Sequence, residues 1–381
     1  MKEIYLDNAA TTPCFEEAAK EQYRLSTGEY GNPSSAHHRG VTAEETMRAA
    51  AEKLASLMRV KSSELIFTSG GTESDNIAIL GAARAAKRRG THIITTVLEH
   101  PAVLRCMEEL SSEGFDITYL PADKDGIISI EDLERSVSED TVLVSIMHTN
   151  NETGSLQPIG DIGRLLKRKY PKIIFHTDAV QGFGHENIYP KELGVDLLSI
   201  SGHKFGGPKG VGALYIAQGT KLLPVNYGGG QQAGLRSGTE NVPGIAAMAL
   251  AAEISHKGLE EERKRLYDIR ESFINGLLKL EGVSINGGGS PAIVSASFAG
   301  VRSEVLLHAL EEKGIYVSAG SACATHKPEP SRTLTAMGLS KELIEGTIRF
   351  SFFRQTTAEE LDYTLECIAS ELTELRRFVR R

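Results

Sequence analysis

Three short stretches carry side chains that could do covalent or proton-transfer chemistry. The first is SISGHKFGGPKG, Ser199 to Gly210, which sets Lys204 directly behind Ser201 and His203 and ahead of two glycine-rich turns. Lys204 would stand at the end of a strand, and an ε-amine near phosphate donors and an acid has the surroundings for a Schiff base with an aldehyde cofactor. A surface lysine in a glycine loop is the plainer alternative. The second is FTSGGTESDNIAI, Phe67 to Ile79, a strand ending in a Ser-Gly-Gly-Thr turn that opens a helix at Glu73. Backbone N–H groups at such a helix start, with the Thr72 hydroxyl, make a cup for a phosphate. The pattern is neither G-x-x-x-x-G-K-[ST] nor G-x-G-x-x-G, so nucleotide folds lose ground, and glycines that serve only a tight turn stay open as a reading. The third, VSAGSACATHKPEPS from Val317 to Ser331, surrounds Cys323 with small residues and then with Pro328 and Pro330. Small side chains give a loop little core to hold it, which predicts a thiol able to swing toward a substrate and out again; a packed turn with a passive thiol is the alternative.

Other residues gain meaning beside these. FHTDAVQG places Asp178 and Gln181 just after a buried strand. An acid there is costly unless it meets a cation, and a protonated pyridine nitrogen would be one; a helix N-cap explains Asp178 equally well. LEHPAVL sets His100 at the start of a helix, where an imidazole could stack on a pyridine ring and exchange a proton near neutral pH, or serve structure alone. HTNNETG puts Asn150 and Asn151 in a loop after a strand, and TIRFSF puts Arg349 within one. The planar fork of Arg349 would meet a substrate carboxylate bidentately, and an ordinary salt bridge accounts for it about as well.

The elements that must position these groups alternate from Glu64 to about Tyr215: short β-branched runs such as HIITT, TVLVSIM and DLLSIS, separated by helical periods. That alternation predicts an α/β fold with a mainly parallel sheet covered by helices, with active residues on loops leaving strand ends. A long helical pattern follows from Asn241 to about Leu280, its charged face EEERKRLYDIRE exposed to solvent. Two short strands, a helix from Ser303, a small-residue loop, the strand TIRFSF and a final amphipathic helix from Thr357 read as a smaller α+β domain. The boundaries expected are 16–255 for the large domain, with 1–15 and 256–381 forming the small one that carries the Cys323 loop.

Bulk composition excludes several functions. The chain has 381 residues, 42 Lys plus Arg against 50 Asp plus Glu, and a formal net charge of −8, with no basic stripe to follow a phosphate backbone. Nucleic acid is not an expected partner. The apolar runs are far shorter than the roughly 20 residues of a membrane helix, and a cytoplasmic protein with no membrane contact is expected. Cys14, Cys106, Cys323 and Cys367 show no zinc spacing; outside Cys323, small buried hydrophobes are expected.

The motifs YLDNAATTP, GNPSSAHHRG, SGGTESDN, EHPAVLRCMEEL, NNETG, HTDAVQ, SGHKFGGPKGVGALY, RSGTEN, GSACAT and IRFSF occur in an order and spacing that closely resembles the NifS/IscS-type cysteine desulfurases, nearly end to end. These are fold-type I pyridoxal-phosphate enzymes with a large seven-stranded domain and a smaller α+β domain. The resemblance implies pyridoxal 5'-phosphate bound through Lys204, its phosphate held by Gly71, Thr72, Ser201 and His203. It implies Asp178 on the pyridine nitrogen, His100 stacked on the ring and Gln181 on the phenolic oxygen. Asn151 and Arg349 would take the carboxylate of L-cysteine, and Cys323 would accept its sulfur as a persulfide with release of L-alanine. Thr239 would reach the phosphate of the other subunit in a homodimer. Acceptors would be an iron–sulfur scaffold or a tRNA-thiolation protein, and Cys323 could briefly share an iron–sulfur cluster; no resident metal is implied. Gln232 and Ala233 stand where such relatives often carry a glutamate and an arginine. Competing readings are another aminotransferase or β-lyase, selenocysteine lyase included, and a phosphate-binding module without a Schiff base.

Overall fold

The computed structural model describes residues 3–319 and 330–379. In chain order its strands are β1 (Ile4–Tyr5), β2 (Leu65–Thr68), β3 (His92–Thr96), β4 (Asp116–Leu120), β5 (Thr141–Ser145), β6 (Ile174–Asp178), β7 (Leu197–Ser201), β8 (Gly212–Ile216), β9 (Val283–Ile285), β10 (Ile293–Phe298), β11 (Ile315–Tyr316), β12 (Ser318–Ala319) and β13 (Thr347–Ser351). Seven of them form one sheet in the order β2-β8-β7-β6-β5-β3-β4. The pairs from β7 to β4 are parallel, with crossovers linking the successive strands β3 to β7, whereas β8 runs antiparallel to both β7 and β2. The reversal has a local cause. The stretch between β7 and β8 holds only the short 3₁₀ turn Gly202–Lys204, too little chain for a crossover, so it must fold back.

Strands β3, β5 and β7 are buried along their whole length, as expected for a sheet covered on both faces. Ile94, Val144, Phe175 and Leu198 point into one apolar cluster; Ile93, Leu143, Leu197 and Leu214 point into another, against the helix Gly71–Ala86. That helix is rich in alanine and isoleucine on all sides, which suits an element enclosed by sheet and neighbours.

A second core joins Ile4 and Leu6 to Phe273, Phe298, Phe350 and Ile368. Here β12, β13, β10 and β9 make an antiparallel sheet, and β1 pairs with β11 in parallel. Phe273 meets Phe350 edge to face at 5.1 Å, and burial of such rings stabilises by roughly 2–3 kcal/mol apiece.

Two expectations are corrected. The helical pattern from Asn241 is two helices, Val242–His256 and Leu259–Leu277, separated at Gly258, whose φ of +66° is a left-handed position suited to glycine. Only the second is amphipathic; the first is apolar nearly all round and is packed between other helices. Cys14 is exposed rather than buried, because the next residue, Phe15, takes the inward place and stacks on Phe353 at 5.6 Å. Cys106 is buried, as expected for a small apolar side chain, and Cys367 is half-buried. Among the described residues no helix is long and apolar enough to cross a membrane.

Candidate active site

The carboxyl ends of β2, β6 and β7 meet the loops after β3 and β5 around a cavity of about 230 Å³. At one end lies the start of the helix Gly71–Ala86. Gly70 precedes it with φ +151°, a conformation that side chains rarely adopt, and a Cβ on Gly71 would fall 2.6 Å from Val180 Cγ2. The helix begins at Gly71, before the expected Glu73, because the Ser74 N–H already donates to the Gly70 carbonyl at 3.1 Å. Thr72 therefore sits in the first turn, where backbone N–H groups have no helical acceptor and are available to an anion. Ser201, at the end of β7, and His203 border the same space.

Lys204 leaves the turn after β7, and its Nζ donates to the carbonyls of Ala9 at 2.5 Å and Ala10 at 2.9 Å. Gln181 Nε2 donates to the same Ala9 oxygen at 2.9 Å, and His203 Nδ1 lies 3.2 Å from Thr11 Oγ1. The wall formed by Ala9 to Thr11 was not assigned a role by sequence reasoning, although it lies inside the motif YLDNAATTP; its run of small and hydroxyl residues was the available signal.

Between these ends stand Asp178 and His100. Asp178 ends β6, is 6% exposed and accepts the Val180 N–H at 2.9 Å. Burial first, and then the nearby Asp75 carboxyl, push its pKa well above the usual carboxylate range. His100 caps the helix Pro101–Ser112: its Nδ1 accepts the Ala102 N–H at 3.1 Å, which leaves the proton of the neutral ring on Nε2. Burial lowers the His100 pKa below its ordinary value, and burial together with the Lys204 charge takes His203 down to about 4.

Two further acids lie beside Asp178, and sequence reasoning missed both. Asp75 is 1% exposed and lines the cavity; burial pushes its pKa up to about 7. Its Oδ1 has no hydrogen-bond partner among the described residues and lies 3.5 Å from His176 Nε2. His176 is itself held by Ser145 Oγ at 2.9 Å and Ser199 Oγ at 3.1 Å. Glu99 accepts from the Met147 N–H at 2.9 Å and from Thr96 Oγ1 at 2.8 Å, and burial pushes its pKa up to about 8. An acid inside the apolar run DNIAIL and one directly before His100 were the sequence signals for them. A region this acidic and this dry favours a cation opposite Asp178. A flat pyridinium ring, with its phosphate on the helix start and its aldehyde at Lys204, fits these residues.

Toward the smaller sheet a second cavity, of about 130 Å³, shares His100 and Asn151 with the first and adds Arg349, Glu152 and Ala319. Arg349 is 9% exposed; Nη1 donates to the Asn151 carbonyl at 2.8 Å and Nη2 to Asp7 Oδ1 at 2.7 Å. Its buried Nε has no partner among the described residues. The salt bridge weighed for Arg349 is thus present, and Asn151 meets it through the backbone. Asn150 is structural, its Oδ1 accepting the N–H groups of Glu152 and Thr153 at 2.9 Å each. Thr239 is exposed and does not line the cavity of its own chain. Cys323 lies outside the described residues, but both flanks of its segment reach this place: Ala319 lines the second cavity and Ser331 Oγ donates to Glu152 Oε2 at 2.5 Å.

Residues 4–364 match the family model described as Aminotransferase class-V. Over 378 residues the chain is 44% identical to the cysteine desulfurase IscS of Methanosarcina thermophila, covering 98% of this chain and 93% of that one. Over 379 residues it is 46% identical to the cysteine desulfurase IscS of Dictyoglomus turgidum, covering 98% and 96%. A solved structure titled a NifS-like protein superposes with a TM-score of 0.92 at 41% identity, covering 98% of this chain and 100% of that one.

Proposed function

The chain belongs to the class-V aminotransferase family, among its IscS- and NifS-like members, and from that premise we propose that it takes the sulfur of L-cysteine onto Cys323 as a persulfide and releases L-alanine. The observation that carries the proposal is the convergence of Lys204, Asp178, His100 and the Gly70–Thr72 turn on one cavity. Pyridoxal phosphate, the cofactor of this family, supplies when bound an electron sink for the charge that develops at the substrate Cα.

The protein's own groups have separable tasks. The first-turn N–H groups and hydroxyls at Thr72 and Ser201, with His203, hold the phosphate. Asp178 becomes the anion that keeps a proton on the ring nitrogen, which its dry surroundings make a strong interaction. His100, neutral at pH 7, presents its flat ring to the cofactor's face. The Lys204 amine, at the same cavity, would be the base that takes the substrate Cα proton and the acid that returns one. Arg349 and Asn151 bind the substrate carboxylate; Arg349 does so by giving up Asp7 or by turning its Nε edge, which has no partner among the described residues.

The atoms balance when the Cys323 thiol enters: its sulfur bonds to the substrate sulfur as the Cβ–S bond breaks, so that cysteine plus one thiol become alanine plus one persulfide. Four peptide links separate Cys323 from Ala319, a reach of at most about 14 Å, which supports delivery of the thiol to the cavity that Ala319 lines. A homodimer, in which the exposed Thr239 reaches the phosphate of a second copy, and transfer to an iron–sulfur scaffold or tRNA-thiolation protein complete the reading. The test is mass spectrometry of the Cys323 peptide after incubation with cysteine. One added sulfur is expected, absent in Cys323→Ser; sulfide released at full rate by Cys323→Ser, with pyruvate and ammonia in place of alanine, would point instead to an ordinary β-lyase.

A further inference from the structure

The loop between β8 and the helix Val242–His256 is fastened to the phosphate turn through both ends of the amide at position 232. Strand β2 is an edge strand, and the N–H of Phe67, just ahead of the Ser69–Thr72 turn, has no strand partner on its outer side. Gln232 fills that place: its Oε1 accepts the Phe67 N–H at 2.7 Å while its Nε2 donates to Glu240 Oε1 at 2.7 Å. Only a side chain with both an acceptor and a donor can make this pair of bonds; a carboxylate would put two like charges together and offer Glu240 nothing. Beyond the turn, Arg236 Nε lies 3.2 Å from Glu73 Oε1, and Asn226 Nδ2 donates to the same oxygen at 2.8 Å. The loop therefore grips the Gly70–Thr72 turn from the strand before it and the helix after it.

The backbone at this clamp is not relaxed. Gln232 and Ala233 have φ of +49° and +57°, left-handed values that non-glycine residues seldom adopt unless neighbouring contacts impose them. The imposing contacts are the two amide bonds and the closure of the loop on itself, where the Gly238 N–H donates to Gln231 Oε1 at 3.0 Å and the Gly234 N–H to the Gly230 carbonyl at 3.0 Å.

We propose that Gln232 is a positioning residue for the phosphate end of the cofactor site, bridging the edge of β2 to Glu240 and so fixing the turn whose N–H groups receive the phosphate. The inference rests on pyridoxal phosphate being the ligand of this site. The experiment titrates cofactor-free protein with pyridoxal phosphate, and separately with pyridoxal, which lacks the phosphate, following the absorbance of the bound form. Gln232→Glu is expected to weaken pyridoxal phosphate about tenfold and to leave pyridoxal unchanged, since the loss falls on the turn alone. The exchange Gln232→Glu with Glu240→Gln restores an acceptor for Phe67 and a donor between the pair, and is expected to recover pyridoxal phosphate binding to within about twofold. Equal weakening of both ligands would reduce Gln232 to a general structural part, and an undiminished Gln232→Glu, or a double variant no better than the single, would overturn the role. Wild-type protein that takes up neither ligand would overturn the cofactor reading itself and this inference with it.

Discussion

Replacing Asp75 with asparagine asks whether the cavity beside Asp178 holds neutral acids or buried charges. Asp75 is fully enclosed, and burial raises its pKa from 3.8 to about 7. Between those values the folded protein keeps a proton that the unfolded chain has lost, so stability falls as pH rises through the window and levels off above it. A rise of about three pH units corresponds to about 4 kcal/mol at about 1.4 kcal/mol per unit. Asparagine has nearly the same shape and no titration. The variant should therefore match the wild type near pH 4 and become progressively more stable than it toward neutrality, by up to that amount. Asp178 carries part of its own raised pKa because of Asp75, so relief of that repulsion adds with the same sign.

The measurement is urea unfolding of cofactor-free wild type and Asp75→Asn across that pH range, comparing transition midpoints. A gap that opens with rising pH is expected. The opposing possibility is an ion pair with His176, whose Nε2 is 3.5 Å from Asp75 Oδ1. Burial holds His176 down to about 4, which argues that the imidazole is neutral. If Asp75→Asn proved less stable than wild type at neutral pH, with the deficit vanishing in acid, the pair would be charged and the reasoning refuted.

Two other outcomes are expected. Gly70→Ala places a side chain at φ +151°, a conformation that costs on the order of 1–3 kcal/mol, and should lower both the melting temperature and cofactor retention on gel filtration. Arg349→Lys keeps the charge but loses the planar fork shared between Asn151 and Asp7, so steady-state kinetics should show KM for cysteine raised about tenfold with a smaller change in kcat.

Much of the sheet was legible because its strands are buried on both faces and read as unbroken apolar runs between helical periods, as in HIITT and TVLVS. The direction of β8 was not, since direction depends on whether the connecting chain is long enough for a crossover, and neither strand pattern records it. The Asn241 helix was read as one because a single glycine, Gly258, is a weak break inside a long periodic stretch. Residues that border the cavity from strand ends, such as Asp178 and Lys204, could be picked out by type and place. Asp75 and Glu99 left only faint signals, an apolar neighbourhood and adjacency to His100, because a buried acid looks much like a surface acid until the strands that enclose it are assembled. The partners of Arg349 were equally hidden: Asp7 and Asn151 are far from it in the chain and meet it only through the fold.

The N-terminal segment shows why these distant pieces act together. Its strand β1 pairs with β11, Asn8 Nδ2 donates to the Ser351 carbonyl at 2.9 Å, and Asp7 holds Arg349, the last two at β13 of the smaller sheet. A few residues on, Ala9 and Ala10 take the Lys204 amine, and the Thr12 N–H donates to the His203 carbonyl at 2.9 Å on the large sheet. One strap of chain therefore touches the proposed carboxylate-binding arginine at one end and the proposed cofactor lysine at the other. A substrate carboxylate that took Arg349 from Asp7 would release one of the strap's contacts to the smaller sheet, and a cofactor that took Lys204 from Ala9 would release one to the turn after β7.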